Sequence, residues 1–296
     1  MAVRLHYDVA EFTALTRPLL EADPVRHTIA LTALTRLSRV PDPGAEPPVL
    51  VSIHREGVLV GAAVCTPPYP LIAGGLPAEC AAGVADMLGL RYPELPGVIG
   101  PRREAEPFAR CWSARTGASV QKWMAQRLFA LRRLSLPDGV PGAVRRADAS
   151  DLELLARWRE EFADEATGGM RGHGTALQQV KDSLAVGDAA LLWEVGGQPV
   201  AWASASAPAA GMSRIGPVYT PLPYRGSGYG SAVTAAAAGW ARQAGAKHVV
   251  LFTPKGCESS SASPYDLANP ISNLIYPRIG FRPVHDAVEL VFTPAP

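Results

Sequence analysis

The sequence predicts a mixed α/β (α+β) protein built from two similar halves. Hydrophobic residues make up 48% and charged residues 19% of the 296 positions, enough apolar surface for a buried core and too little charge for a disordered chain. A stretch dense in Pro and Gly, Ser135-Leu-Pro-Asp-Gly-Val-Pro-Gly142, separates two regions of apolar periodicity, as a linker does. Each region then runs through one order of signals: helix, hairpin, strand, helix, strand, helix, closing strand.

In the first half, Val49–His54 and Val58–Cys65 are strand-like runs around Arg55-Glu-Gly57, a hairpin with Gly at the turn. In the second, Ala190–Val195 and Pro199–Ala203 flank Gly196-Gly-Gln198 in the same way. The amphipathic pattern of Leu152–Ala166 predicts a helix ahead of that hairpin. After it come a strand over Arg214–Thr220, a glycine loop, an Ala-rich helix and a strand over His248–Thr253. The ends also correspond. Ala114-Arg-Thr-Gly117 precedes the strand-like Met124–Leu131, and Pro277-Arg-Ile-Gly280 precedes Ala287–Phe292. The expected domains are residues 1–136 and 143–296, with a linker at about 135–142.

Composition excludes several function classes. The net charge is +1, with 28 basic against 27 acidic residues and no basic block, so the footprint of a nucleic-acid-binding protein is missing. The uncharged stretch Gly57–Ala78 is broken by Pro67, Pro68, Pro70 and Pro77 and cannot form a membrane helix. Met1–Asp8 has no apolar run of the kind that opens a secretory leader. Four cysteines without a C-x-x-C pair and six histidines without ligand spacing predict reduced thiols, no metal site and a cytoplasmic protein.

The densest chemistry lies in Arg225-Gly226-Ser227-Gly228-Tyr229-Gly230. Glycines let successive backbone N–H groups converge, and the following helix adds unpaired N–H groups and a positive dipole end, an anion cradle suited to a pyrophosphate. A tight strand-to-helix turn is the plainer alternative. A P-loop would need Lys then Ser or Thr after the last glycine, but Ser231-Ala232 follow. A dinucleotide fingerprint would need an acidic residue closing the next strand, which instead ends Phe252-Thr253-Pro254.

The loop resembles the R-x-x-G-x-G/A signature of the GNAT (GCN5-related N-acetyltransferase) family, with Arg225, Gly228 and Gly230 in the signature positions. A second block, Asn269-Pro-Ile-Ser-Asn273-Leu-Ile-Tyr276-Pro-Arg-Ile-Gly280-Phe281, is similar to a later motif of that family, and Asp266-Leu-Ala-Asn-Pro resembles its FR47-like branch. The resemblance covers about residues 143–296. It implies two tandem GNAT-like domains, each a central mixed, mostly antiparallel sheet flanked by helices. It further implies acetyl-CoA or another acyl-CoA as cofactor, and acyl transfer to a primary amine on a small molecule or peptide.

By that resemblance, Val218, Tyr219 and Thr220 offer backbone groups to the pantetheine arm, and one N–H there polarises the thioester carbonyl. Arg225, Gly226, Ser227, Gly228, Tyr229, Gly230 and Ser231 take the pyrophosphate, and Asn269, Ser272 and Asn273 hold the cofactor's other side. Tyr276 is the expected general acid, since a phenol can return a proton to a departing thiolate; the alternative is an interface tyrosine packing the sheet.

The general base is open. Many family members carry Glu two residues before the signature Arg, where this chain has Pro223. Glu160, Glu161, Asp164, Glu165 and Glu194 are candidates, against the ordinary reading of a solvated charged face. His173 is a candidate for an acceptor pocket or a plain loop residue, and Lys255–Pro264 for a lid. Trp158, Trp193 and Trp202 are expected to pack the core.

In the first half Ser113 stands where Tyr276 does, and Ala73-Gly-Gly-Leu-Pro77 replaces the cofactor loop. This half is therefore expected to be degenerate, a buttress or a wall of the acceptor site. Two competing functions remain at this level: a non-catalytic acyl-CoA-binding or regulatory protein of the same fold, and a small-molecule-binding module unrelated to CoA.

Overall fold

The computed structural model describes residues 1–39, 46–167, 174–255 and 270–295, without the side chains at 122, 123, 166, 167 and 270–273. The chain divides into two compact units, Met1–Gln126 with His285–Pro296, and Arg127–Val284.

In chain order the first unit holds β1 (Ala2–His6), α1 (Val9–Glu21), α2 (Thr28–Arg39), β2 (Val49–Arg55), β3 (Val58–Cys65), β4 (Leu71–Gly75), α3 (Ala81–Arg91), β5 (Gly97–Pro101), α4 (Arg102–Thr116) and the start of β6 (Ser119–Leu131). The second holds the end of β6, then β7 (Ala143–Arg146), α5 (Leu152–Thr167), α6 (Ala176–Ala185), β8 (Ala189–Val195), β9 (Gln198–Ala205), β10 (Met212–Tyr219), α7 (Tyr229–Gln243), β11 (His248–Pro254), α8 (Pro270–Arg278) and the start of β12 (Phe281–Thr293).

Both units follow one plan. In the first, β1 to β4 form an antiparallel meander and β5 joins β4 in parallel. In the second, β7 to β10 form the meander and β11 joins β10 in parallel. Among the described residues no helix is long and apolar enough to cross a membrane.

Period-two alternation sends each strand's side chains to two faces, and each unit accordingly carries two cores. One face of the first sheet packs α3 and α4 through Val84, Leu88, Phe108 and Trp112, with Trp112 stacked on Phe292 at 5.6 Å. The other packs α1 and α2 through Phe12, Leu20, Leu31 and Leu34. In the second unit α7 buries Ala235, Ala237, Ala238 and Ala241 against one face, where methyl-sized side chains let the helix lie close to the strands. The opposite face packs α5 and α6 around Leu155, Trp158, Val180 and Trp202. Trp158 and Trp202 are core residues, as expected.

Three features differ from the sequence reading. First, each unit gains an opening strand (β1, β7) and a second helix (α2, α6). These strands are only five and four residues long and lie at the sheet edge, too short for their alternation to stand out in the sequence. Second, the closing strands are exchanged. Residues 287–291 of β12 pair with β5 of the first unit, while β6, whose residues 127–131 belong to the second unit, neighbours β11. An apolar strand pattern fixes burial but not which sheet receives it.

Third, the stretch expected to be a linker, 135–142, lies inside the second unit. Ser135 N–H donates to the Ile279 carbonyl at 3.1 Å, and the Trp193 indole donates to the Pro141 carbonyl at 2.9 Å. Pro and Gly marked the irregular backbone correctly, but irregular backbone can still be packed.

Candidate functional site

The candidates of the glycine loop lie between the end of β10 and the start of α7. The parallel ladder between β10 and β11 ends at Ile215–Leu251, although both strands continue. On the other side of β10 the register with β9 shifts between Ile215 and Val218. Pro217 accounts for the break, since it has no N–H to give either neighbour. Past it, Val218, Tyr219 and Thr220 run beside β11 without ladder bonds to it, leaving backbone groups for an added strand-like ligand.

The loop 220–228 then leads into α7. Gly228 is the N-cap, in the left-handed region at φ 83°, and supplies no side-chain cap. Helical bonding begins with Ala232 N–H to the Gly228 carbonyl at 3.0 Å, so the N–H groups of Tyr229, Gly230 and Ser231 have no intrahelical acceptor. A Cβ at Gly228 would lie 3.1 Å from Val140, and one at Gly226 would meet nothing within 4 Å. A pyrophosphate fits this arrangement of uncapped donors at a positive helix end.

The Arg225 side chain turns toward α5. Its Nε donates to the Thr220 carbonyl at 2.8 Å, its terminal nitrogen donates to the Glu165 carboxylate, and its guanidinium lies 5.9 Å from the centre of the Tyr219 ring. The Tyr219 hydroxyl donates to Glu165 at 3.2 Å. Burial and the neighbouring Glu161 and Glu165 carboxylates hold that phenol protonated, well above its ordinary range. Arg225 thus ties the loop to α5.

Tyr276 sits on α8 and is 6% exposed. Its ring meets Phe129 at 6.2 Å in a tilted contact and Phe281 at 6.3 Å edge-on. Val218 and Tyr229 pack on the same hydrophobic cluster. Burial pushes its phenol up to about 12, so it keeps its proton throughout the neutral range. Gly280 explains the glycine that follows: a Cβ there would stand 1.7 Å from the Arg133 carbonyl oxygen. Asn269 lies outside the described residues, as do His173 and residues 256–264, and the side chains of Ser272 and Asn273 are likewise not described.

Among the candidate bases, Glu161 and Glu165 are brought to the Tyr219 hydroxyl, while Glu160 and Asp164 are exposed on α5. Glu194 is held by Arg145 at 2.6 Å, and Arg145 also grips Asp151 at 2.6 Å, which makes Glu194 part of a brace between β7, β8 and the start of α5. Sequence reasoning missed Phe129 and Val140, whose signal was hidden by the assignment of 127–142 to the first half and linker. Among the described residues no group of three His, Cys, Asp or Glu side chains could hold a metal ion.

The first unit's counterpart differs. Its β4–β5 ladder ends at Ile72–Ile99, and Ala73–Gly75, expected to be part of a loop, are strand. Arg26 occupies the space beyond. Its Nε donates to the Gly74 carbonyl at 3.4 Å, and its terminal nitrogen pairs with the buried Glu104. The Ser113 hydroxyl donates to the Ala118 carbonyl at 2.7 Å.

Residues 155–260 match the model of the acetyltransferase (GNAT) family. Solved structures of the same architecture include a GNAT-family acetyltransferase from Colwellia psychrerythraea, 12% identical with TM-score 0.60 over 99% of this chain and 100% of that one. A GCN5-related N-acetyltransferase from Sphaerobacter thermophilus is 18% identical with TM-score 0.56 over 99% and 95%. A tandem GNAT protein from the clavulanic acid biosynthesis pathway is 12% identical with TM-score 0.52 over 100% and 99%. At these identities the likeness is one of fold, and the fold is that of GNAT proteins. No curated protein sequence matches the chain.

Proposed function

We propose that the second unit is an acyl-CoA-dependent N-acyltransferase, transferring acetyl from acetyl-CoA to a primary amine of a small molecule or peptide by direct attack. The observation that carries this reading is one conjunction: the end of β10, paired with β9 but not with β11, runs into an uncapped, glycine-lined helix N-terminus, and a protonated tyrosine packs on the same apolar cluster as Val218 and Tyr229.

The N–H groups of Tyr229, Gly230 and Ser231 would hold the pyrophosphate, and the backbone of Val218–Thr220 the pantetheine arm. When bound, acetyl-CoA supplies the activated carbonyl. A backbone N–H past Pro217 on the side facing β11, where the ladder to β11 has ended, would polarise that carbonyl. The Tyr276 phenol holds the proton that the departing sulfur needs, because burial raises the cost of the phenolate and keeps the hydroxyl intact. Phe129 and Phe281 exclude water from its ring.

Release of CoA from acetyl-CoA with a panel of amines, beside calorimetry of CoA binding, tests the reading. An enzyme binds and turns over; a regulatory protein of this fold binds without turnover; a module unrelated to CoA does neither. Tyr276→Phe keeps the ring and its packing. Turnover is expected to fall about 10²- to 10⁴-fold with binding almost unchanged, and turnover within a few-fold of the parent would make Tyr276 a packing residue.

A further inference from the structure

The segment 127–142 precedes both the family match at 155–260 and the resemblance read in the sequence, yet it is built into the second unit. It touches the proposed site at two places. At one end, Phe129, 4% exposed, packs its ring against Tyr276, and Arg132 N–H donates to the Gly280 carbonyl at 3.0 Å just past α8. At the other, Val140 stands 3.1 Å from where a Gly228 side chain would begin.

From this we infer that Phe129 is a positioning residue for the Tyr276 phenol, so that the acyl-transfer site is completed by a strand from the first half of the sequence. The inference rests on the reading of Tyr276 as general acid. Its physical basis is the geometry around the ring. Phe281 meets the Tyr276 ring at an interplanar angle of 65° and Phe129 meets it at 58°, edge-on and tilted contacts of the kind that orient aromatic pairs. With one of the two contacts removed, the ring gains freedom to swing about χ1, which tilts the Cβ–Oη axis and moves the hydroxyl while α8 stays in place. An acid displaced by a fraction of an ångström loses rate without losing cofactor affinity.

Leucine at 129 keeps most of the buried apolar volume and removes the aromatic edge. In the full chain, Phe129→Leu is expected to lower turnover about tenfold while the acetyl-CoA dissociation constant, read by calorimetry, stays within twofold. In the Tyr276→Phe background the same substitution is expected to have no further effect on turnover, since no acid is left to orient. Unchanged turnover in Phe129→Leu, an equal loss in both backgrounds, or a matching loss of acetyl-CoA affinity would each overturn the inference and make Phe129 an ordinary core residue. If Tyr276→Phe alone proves silent, the reading of Tyr276 fails first and the inference falls with it, an outcome recognisable from the single variant. Should Phe129→Leu fail to fold, Phe129→Met, which is also unbranched at Cβ and adaptable in a core, carries the same measurement with the same expected results.

Discussion

The two strand-to-helix connections of this chain start from the same architecture and end in opposite chemistry. After β10 the chain spends residues 220–228 reaching α7 and arrives through a left-handed glycine that caps nothing. After β4 it spends only 76–80 reaching α3, partly as a single 3₁₀ turn over Ala78–Cys80 whose Cys80 N–H is already bonded to the Pro77 carbonyl. Beyond the last parallel ladder pair, the second unit leaves the β11-facing side of β10 without ladder bonds, whereas in the first Arg26 bonds the Gly74 carbonyl and pairs with a buried carboxylate. The sheet is a scaffold that both units share, and the site is a property of one connection and what lies against it.

Corresponding glycines give the sharpest way to break this comparison. Gly280 and Gly117 follow the last helix of each repeat and both have positive φ. A Cβ at Gly280 overlaps the Arg133 carbonyl, while one at Gly117 meets only Ala295 at 3.4 Å. Gly280→Ala is therefore expected to cost about 4 kcal/mol or more, a value reached only by severe steric mechanisms, seen as loss of the second unit's denaturant transition. Similar costs at the two glycines would mean that the close backbone approach in the second unit is wrong.

Next in size is Arg26→Ala. It leaves Glu104, 4% exposed, with only the surface-lying Arg103 as partner. Removing one partner of a buried carboxylate costs about 3 kcal/mol, read as a lower midpoint for the first unit. The variant should gain no CoA binding, because the short 76–80 connection has no glycine loop ahead of α3. A second CoA site in Arg26→Ala would show that Arg26 alone plugs an otherwise competent cleft. Gly117→Ala is the smallest effect, about 1–2 kcal/mol for a left-handed alanine without a clash.

Much of this was legible because it rests on local chemistry. The hairpins at Val49–Cys65 and Ala190–Ala203, the helix from Leu152 and the strands around the glycine loop appear close to their expected bounds, since period and turn residues specify them directly. The uncapped N-terminus of α7 was readable from Gly228 and Gly230 alone. What was not legible depends on partners far apart in sequence. The exchange of β6 and β12 decides which aromatic residue meets Tyr276, and no periodicity reports it. Arg225 could be named from its motif, but its engagement by Glu165, 60 positions earlier, requires α5 to pack beside β10. Arg26 had no motif at all; its role exists only because the α1–α2 connection reaches the end of β4.

The central claim is that the chain holds one acyl-CoA site and that the glycine loop of the second unit makes it. Calorimetric titration of CoA into the parent and into Gly228→Val tests it directly, since a β-branched residue at φ 83° would crowd Val140 and cover the donors of α7. The expected result is one CoA per chain in the parent and at least a hundredfold weaker binding in the variant, with the first unit's unfolding transition unchanged. A stoichiometry near two, or parental affinity in a folded Gly228→Val chain, would contradict the account.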